Sequence, residues 1–287
     1  MGHEHQPLVS IIMSVYNCEA TLAEAVESIF AQTYTNWEFI ICDDASTDGT
    51  LEWLRDLASV NSERRITIVT NSVNMRLAYS LNRCLEVAQG ELIARMDGDD
   101  ISEPDRFERQ VQYLRDHPEM DLVGSAMRRF NAAGLGDVVH PASQTPDKWT
   151  MARSSKAPFW HATIVARSEV FRAVDNYTVA WRTQRGQDAD LWFKFFGAGL
   201  AGHNLPEPLY LVREDAAAIR RRTPRVRLMG FMTYVKGARE LGYGPTAFAR
   251  ATANLLKALV PYTLIDHQRR FVAKRAKSAQ VEAHPPA

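Results

Sequence analysis

Leu92-Ile93-Ala94-Arg95-Met96-Asp97-Gly98-Asp99-Asp100 joins an apolar run to three carboxylates set around a glycine. The run, preceded by Gly90, reads as a buried strand of a mainly parallel sheet. Open α/β sheets bind ligands just beyond the carboxyl ends of their strands. Asp97 and Asp99 are therefore expected at the sheet edge where a ligand would lie. Gly98 is expected to let the backbone turn sharply and to leave room for a bulky ligand. Carboxylates this close repel one another unless a cation sits between them. Oxygen-only ligands suit Mg²⁺ or Mn²⁺, ions that commonly bridge to phosphate oxygens. The plainer reading is an acidic turn capping the next helix, which the sequence starts near Pro104.

The flanking chain repeats the same grammar. Leu8 to Asn17 is a β-rich run ending in Ser14, Tyr16 and Asn17. Leu22, Ala25, Val26, Ile29 and Phe30 follow at helical spacing. Trp37 to Cys42 forms a second strand ending in a second acidic tip, Asp43-Asp44-Ala45-Ser46-Thr47-Asp48-Gly49-Thr50. A helix carrying Leu51, Leu54 and Leu57, a strand over Ile66 to Val69, and a helix carrying Leu77, Leu81, Leu85 and Ala88 lead to the acidic strand. Phe107, Val111 and Leu114 then line a helix, and Leu122 to Ser125 is a further strand. This alternation predicts a doubly wound α/β sheet. G-x-x-x-x-G-K-[ST] does not occur, which argues against a P-loop.

From Met127 to Arg185 the pattern loosens into expected loops and short strands covering the site. Gln187-Asp188-Ala189-Asp190-Leu191-Trp192 opens a helix, and Leu205 to Val212 reads as a closing strand. Beyond Ile219 the chain is expected to be helical and basic.

The 287 residues suffice for one large domain with an extension, and 46% apolar and 24% charged content is ordinary for a soluble globular protein. The formal net charge is zero but unevenly spread: residues 219–287 carry about 14 Lys and Arg against 3 Asp and Glu. A basic arm on an acidic body suits an anionic partner. Cys18, Cys42 and Cys84 lack metal-ligand spacing and read as buried free thiols in a reducing compartment. With no signal peptide and no run long enough to span a bilayer, a cytoplasmic location is expected.

In order and spacing these motifs resemble glycosyltransferase family 2, whose members have the GT-A fold and transfer sugars with inversion. The matching residues are Val9 to Asn17, Asp43 to Thr50, Ser80-Leu81-Asn82, Gly90 to Asp100, Pro104-Asp105-Arg106 and Gln187 to Trp192, within residues 7–215. The resemblance implies an α/β GT-A domain over residues 1–218. Its nucleotide-sugar half would be 7–125 and its acceptor-side half 126–218, with 219–287 as a basic helical extension. It implies that Ser14, Tyr16 and Asp44 hold the nucleoside, with Asp44 accepting a hydrogen bond from the base. Asp97 would lie near the ribose and Asp99 on the metal, and Asp188 would be the general base. Two positions depart from the pattern. Gln187 replaces an acidic residue, and the glycine usual after the third strand is replaced around Met75-Arg76, which would put Arg76 near the donor phosphates. The Q-x-x-R-W signature of processive members is absent, favouring addition of a single sugar.

Other residues stay open between two readings. His161 and Trp160 face the acceptor or diphosphate, or are structural. Trp181 stacks on a sugar or packs in the core. Arg95 and Arg106 are expected to pair with nearby carboxylates. Arg213 and Arg220-Arg221-Arg222 close over the diphosphate, or are solvated. Asp188 is alternatively a helix N-cap, and Asp190 is expected to cap or position that helix. Phe248, Ala251, Leu255, Leu256, Leu259 and Val260, with Lys257 and the basic residues from Arg269 to Lys277, suggest a helix lying in an anionic membrane interface, or one packed on the protein. The expected partners are a nucleotide-sugar donor and a glycan or lipid-linked glycan acceptor, without nucleic acid. A nucleotidyltransferase would need a basic glycine-rich loop after strand one, which Val15 to Glu19 is not. A non-catalytic sugar-nucleotide binder could dispense with Asp99 or Asp188, and both are present.

Overall fold

The computed structural model describes residues 6–214 and 223–256. Four strands, β1 (Val9–Val15), β2 (Trp37–Asp43), β3 (Ile66–Thr70) and β4 (Leu92–Asp97), run parallel in the order β3-β2-β1-β4. The helices α1 (Leu22–Phe30), α2 (Thr50–Val60) and α3 (Leu77–Val87) connect them. Beyond β4 the sheet is mixed. The short β8 (Val165–Arg167) is antiparallel to both β4 and β6 (Leu122–Asn131). β9 (Gly202–Arg213) lies parallel to β6 and antiparallel to β5 (Ile101–Ser102). β7 (Gly134–Val139) pairs with the outer end of β6.

The period-2 alternation of the strands builds two cores. Val9, Ile11, Met13 and Val15 face one side with Phe39, Ile41, Leu92, Ala94 and Met96. That face is covered by α1, α2 and α4 (Arg106–Asp116), through Leu22, Val26, Leu54, Phe107 and Val111. Ile12, Ile40, Cys42 and Ile93 face the other side, under α3 and α7 (Gln187–Gly197), with Leu81, Cys84, Trp192 and Phe195. α4 starts two residues after Pro104, with Asp105 at its N-cap. All three cysteines are free, Cys42 and Cys84 buried and Cys18 partly so.

Between Met127 and Arg185 there is more regular structure than the pattern suggested. It includes the outer part of β6, β7, β8, α5 (Thr150–Arg153) and α6 (Ser168–Ala173). Gly98 also serves differently from expectation. Its φ is not in the left-handed region, and an added Cβ would come 2.7 Å from Val15 Cγ1, so its role is close packing of the acidic turn against β1.

The start of the basic extension is helical. α8 (Pro224–Glu240) and α9 (Pro245–Leu256) lie against α7 and its surroundings. Thr223 caps α8, and Pro224 takes its first turn. An added Cβ on Gly237 would meet the Phe193 ring at 2.0 Å. Ala238, Tyr243, Ala247 and Ala251 are buried, and Phe248 packs on the same core. Among the described residues no helix is long and apolar enough to cross a membrane. Arg220 to Arg222, and the extension from Lys257 onward, lie outside the described residues.

Candidate active site

The chain runs outward from β1 through β2 to β3, then returns to place β4 on the other flank of β1. This reversal opens a crevice at the carboxyl ends of β1 and β4. Ser14 and Asp97 are register partners there. Tyr16, 45% exposed, follows on the bend after β1. Asn17 pins the second acidic tip to that bend: its backbone N–H donates to Ser46 Oγ at 3.0 Å, and its Oδ1 accepts from the Thr47 N–H at 2.8 Å.

Asp44 is buried and holds the loop before α3. Its Oδ1 accepts from Asn71 Nδ2 at 2.8 Å and the Met75 N–H at 2.7 Å, and its Oδ2 accepts from the Arg76 N–H at 2.8 Å. Arg76 sits at φ +74°, ψ 165°, a region that glycine occupies without penalty. The missing glycine therefore left its backbone shape behind, and Asp44 fixes it. The Arg76 side chain is exposed.

Asp97, Asp99 and Asp100 bring carboxylate oxygens within 4.8 Å of one another. Arg95 forms a two-pronged ion pair with Asp97. The Asp97 N–H donates to the hydroxyl of buried Tyr210 at 3.1 Å. Enclosure, then the charge of Asp97, pushes the Asp99 carboxyl above the usual range. Burial, then the charges of Asp97 and Asp99, pushes Asp100 up to about 8. An uncompensated cluster of hard oxygen ligands fits Mg²⁺ or Mn²⁺. Arg106 departs from expectation. It is fully buried and, among the described residues, pairs with no carboxylate, giving its guanidinium to the carbonyls of Arg95 and Ala162 at 2.9 and 3.2 Å and to Gln110 Oε1 at 3.0 Å. Burial lowers it to about 10.

Arg213, at the end of β9, braces the same turn. Its Nε donates to the Asp99 carbonyl at 2.8 Å, its guanidinium pairs with Glu24 of α1, and it lies 4.5 Å from the Phe130 ring centroid. The described contacts thus direct Arg213 to the protein rather than to a diphosphate. Trp160 likewise donates its indole N–H to the Val139 carbonyl at 3.2 Å. His161 is buried, with Nε2 2.8 Å from the Tyr177 hydroxyl. Burial, then nearby Arg95, holds it well below the ordinary histidine range. Trp181 is 41% exposed, with Arg225 over its ring at 6.0 Å.

Asp188 lies in the first turn of α7. The helix N-cap is Gly186 at φ +98°, so capping does not fall to Asp188. Enclosure raises its carboxyl, opposed by the N–H groups of Ala189 and Asp188 and by the charge of Arg95. Asp190 is buried and paired with Arg182, tying α7 to the turn before it. Arg95 therefore bears on Asp97, Asp99, His161 and Asp188 together. Tyr177 and Tyr210 escaped sequence reading, because a buried tyrosine resembles any other until its partners are known, and Arg106 was read with carboxylate partners that it does not take among the described residues.

The family model described as Glycosyl transferase family 2 matches residues 10–175. The chain is 41% identical over 272 residues to the putative glycosyltransferase EpsE of Bacillus subtilis (strain 168), covering 94% of this chain and 96% of that one. This chain belongs to glycosyl transferase family 2. It is a glycosyltransferase that acts on a nucleotide sugar. It is 34% identical over 141 residues to the UDP-Glc:alpha-D-GlcNAc-diphosphoundecaprenol beta-1,3-glucosyltransferase WfgD of Escherichia coli, over 49% of this chain and 54% of that one. Among solved structures, it resembles the mannosyltransferase PcManGT of Pyrobaculum calidifontis in complex with GDP-Man and Mn²⁺. The TM-score is 0.67 at 18% identity, covering 94% of this chain and 81% of that one. That likeness establishes the GT-A type of fold, a mixed and curled α/β sheet.

Proposed function

We propose that the protein moves one sugar from a UDP-sugar to a hydroxyl of a glycan or lipid-linked glycan, with inversion, in bacterial surface polysaccharide synthesis. The observation that carries this reading is that the acidic turn and Asp188 share one arginine: Arg95 pairs with Asp97, and its charge reaches Asp188. The UDP donor and lipid-linked acceptor are supported by the relation to WfgD.

In this reading Ser14, Tyr16 and Asp44 line the nucleoside side of the crevice, and Arg76 lies on the diphosphate side. Asp97 and Asp99 would hold Mg²⁺ or Mn²⁺, which when bound would supply positive charge to the leaving nucleoside diphosphate. Asp188 takes the proton of the acceptor hydroxyl as that oxygen attacks the anomeric carbon from the opposite face. Enclosure suits this role, since it lifts a carboxylate toward the pKa of an effective base. Trp160, His161 and Arg213 shape the wall of the site and its acidic turn. Residues 1–218 form the catalytic unit, with 126–218 as its acceptor-side half, and 219–287 are a basic extension that suits association with the cytoplasmic face of an anionic membrane.

A screen of nucleotide sugars with Mn²⁺, read as released nucleoside diphosphate, tests the reading. A UDP-sugar is expected to be turned over. Saturable binding of nucleotide sugars without turnover, in the presence of acceptor extract, would overturn it in favour of a binding protein.

A further inference from the structure

Ser80-Leu81-Asn82, in the interior of α3, has three different sets of partners. Ser80 is buried, and its Oγ accepts from Asn71 Nδ2 at 2.9 Å. That same nitrogen donates to Asp44 Oδ1 at 2.8 Å. Leu81 is buried in the core that α3 shares with α7. Asn82 reaches a distant part of the chain. Its Nδ2 donates to the Tyr177 carbonyl and its Oδ1 accepts from the Tyr177 N–H, both at 2.9 Å. Asparagine is a weak helix former, so its place inside α3 answers to these partners. A side-chain amide offers both a donor and an acceptor, and here the pair fixes the position and the rotation of one peptide unit.

Tyr177 opens the segment that delivers Asp188. Asp175 and Asn176, just before it, stand at φ +52° and +50°, and Gly186, two residues before Asp188, at φ +98°. Left-handed backbone at non-glycine residues persists only where the surroundings hold it. The base helix itself grips this turn, since Lys194 Nζ of α7 donates to the Asn176 carbonyl at 2.5 Å. The Tyr177 side chain is buried, with its hydroxyl 2.8 Å from His161 Nε2 and its ring centroid 5.4 Å from that of His161. Burial pushes this hydroxyl above the ordinary tyrosine range, and the charges of Arg95, Asp188 and Asp97 bear on it. Ser80 and Asn82 are only about 3 Å apart along the helix axis, so the two ties share one stiff piece of backbone.

We infer that Asn82 is a positioning residue for sugar transfer: through Tyr177 it fixes the segment carrying Asp188 against the same helix that Ser80 ties to the nucleoside carboxylate Asp44. The inference rests on the reading of Asp188 as the base and adds what aims it. Donor pocket and base thereby share one rigid support, the middle of α3.

A double-mutant cycle on the full chain tests this. Turnover is read as UDP released from UDP-glucose with Mn²⁺ and water as acceptor, and donor affinity by calorimetry. Asn82→Ala removes both bonds, and Asn82→Asp keeps the acceptor while losing the donor. We expect kcat to fall about 10–100-fold in Asn82→Ala, since misplacement by about 1 Å can cost about 10²-fold. Asn82→Asp should fall between, and donor Kd should not change. In the Asp188→Asn background the same alanine change should cost less than about threefold, because no base is left to misplace. Independently of turnover, hydrogen exchange should rise at residues 177–190 in either Asn82 variant and stay at the wild-type level at residues 92–100. Should the alanine variant not fold, the aspartate variant carries the same comparisons. Wild-type kcat in a folded Asn82 variant, an equal loss in both backgrounds, or exchange that rises throughout the chain would overturn the inference. Loss of turnover in Asp188→Asn with Asn82→Ala silent removes the positioning and leaves the base standing, whereas full turnover in Asp188→Asn removes the base itself.

Discussion

The backbone N–H of Arg213 lies 2.8 Å from Oδ1 of Asp100, so the last residue of β9 closes the acidic turn after β4. The Arg213 side chain adds a bond to the Asp99 carbonyl and an ion pair to Glu24. Partners that orient ligating carboxylates typically contribute about 10–100-fold to metal affinity. Arg213→Gln is expected to weaken Mn²⁺ binding by about that factor, read by electron paramagnetic resonance of free Mn²⁺. Arg213→Lys should restore little, because an ammonium lacks the fork that serves two partners. Wild-type Mn²⁺ affinity in the glutamine variant would show that the brace is dispensable.

Asp188→Asn keeps the shape of the side chain and removes its basicity. Transfer should fall about 10²–10⁴-fold, with donor affinity little changed. Stability should move the other way. Enclosure raises the folded-state pKa of Asp188 above its unfolded value. The folded state therefore binds the proton more tightly, and stability drops as pH rises from the unfolded pKa through the folded one. The asparagine variant should melt higher than wild type at pH 7, and the difference should vanish near pH 3. A lower melting temperature at neutral pH would contradict this account.

Chelation should stop turnover, and Mn²⁺ or Mg²⁺ should restore it in the wild type but not in Asp99→Ala. The fold should survive this change, since Asp99 lies on the turn after β4 and belongs to neither hydrophobic core. Full activity of either protein in excess chelator would remove the metal role of the Asp97–Asp99 cluster.

His161 is buried and held neutral beside Arg95. Its folded pKa lies below the unfolded value of about 6.5, so its contribution is complete above that pH and is lost as pH falls below it. Urea midpoints of wild type should decline between pH 7.5 and 5.5 more steeply than those of His161→Gln. Parallel slopes would mean that the ring titrates alike in both states.

Arg76→Gly tests the strained loop. A non-glycine residue at this backbone angle costs about 1–3 kcal/mol, against about 0.5–1 kcal/mol for the freedom that glycine adds to the unfolded chain. The glycine variant should melt a few degrees higher, at about 2–4 °C per kcal/mol for a chain of this size. Donor KM should rise if the guanidinium meets the diphosphate, and an unchanged KM would place that side chain outside the donor site.

The parallel half of the fold was legible because β1 to β4 are continuous apolar runs separated by helices of clear period. The acidic tips were legible because carboxylates at strand ends interrupt those runs abruptly. β8 was not, since three residues carry too little period to identify a strand, and its existence depends on β4 and β6 flanking it. The fate of Arg106 and Arg213 was equally hidden. Their partners are largely main-chain carbonyls, which leave no mark in a sequence. The return of α8 to α7 was hidden too, as a contact between segments with no shared motif.

The contact of Gly237 with Phe193 bears on how the chain can be divided. The family match ends at residue 175, yet α7 lies beyond it and has its back sealed by a helix more than 40 residues further on. A fragment cut to the matched region would lose α7 altogether, and one cut after β9 would leave Phe193, on the helix that carries the proposed base, without its cover. The smallest autonomous form of this enzyme is thus larger than its signature region, and a swap of acceptor halves between relatives would have to carry α7, α8 and α9 as one inseparable cassette.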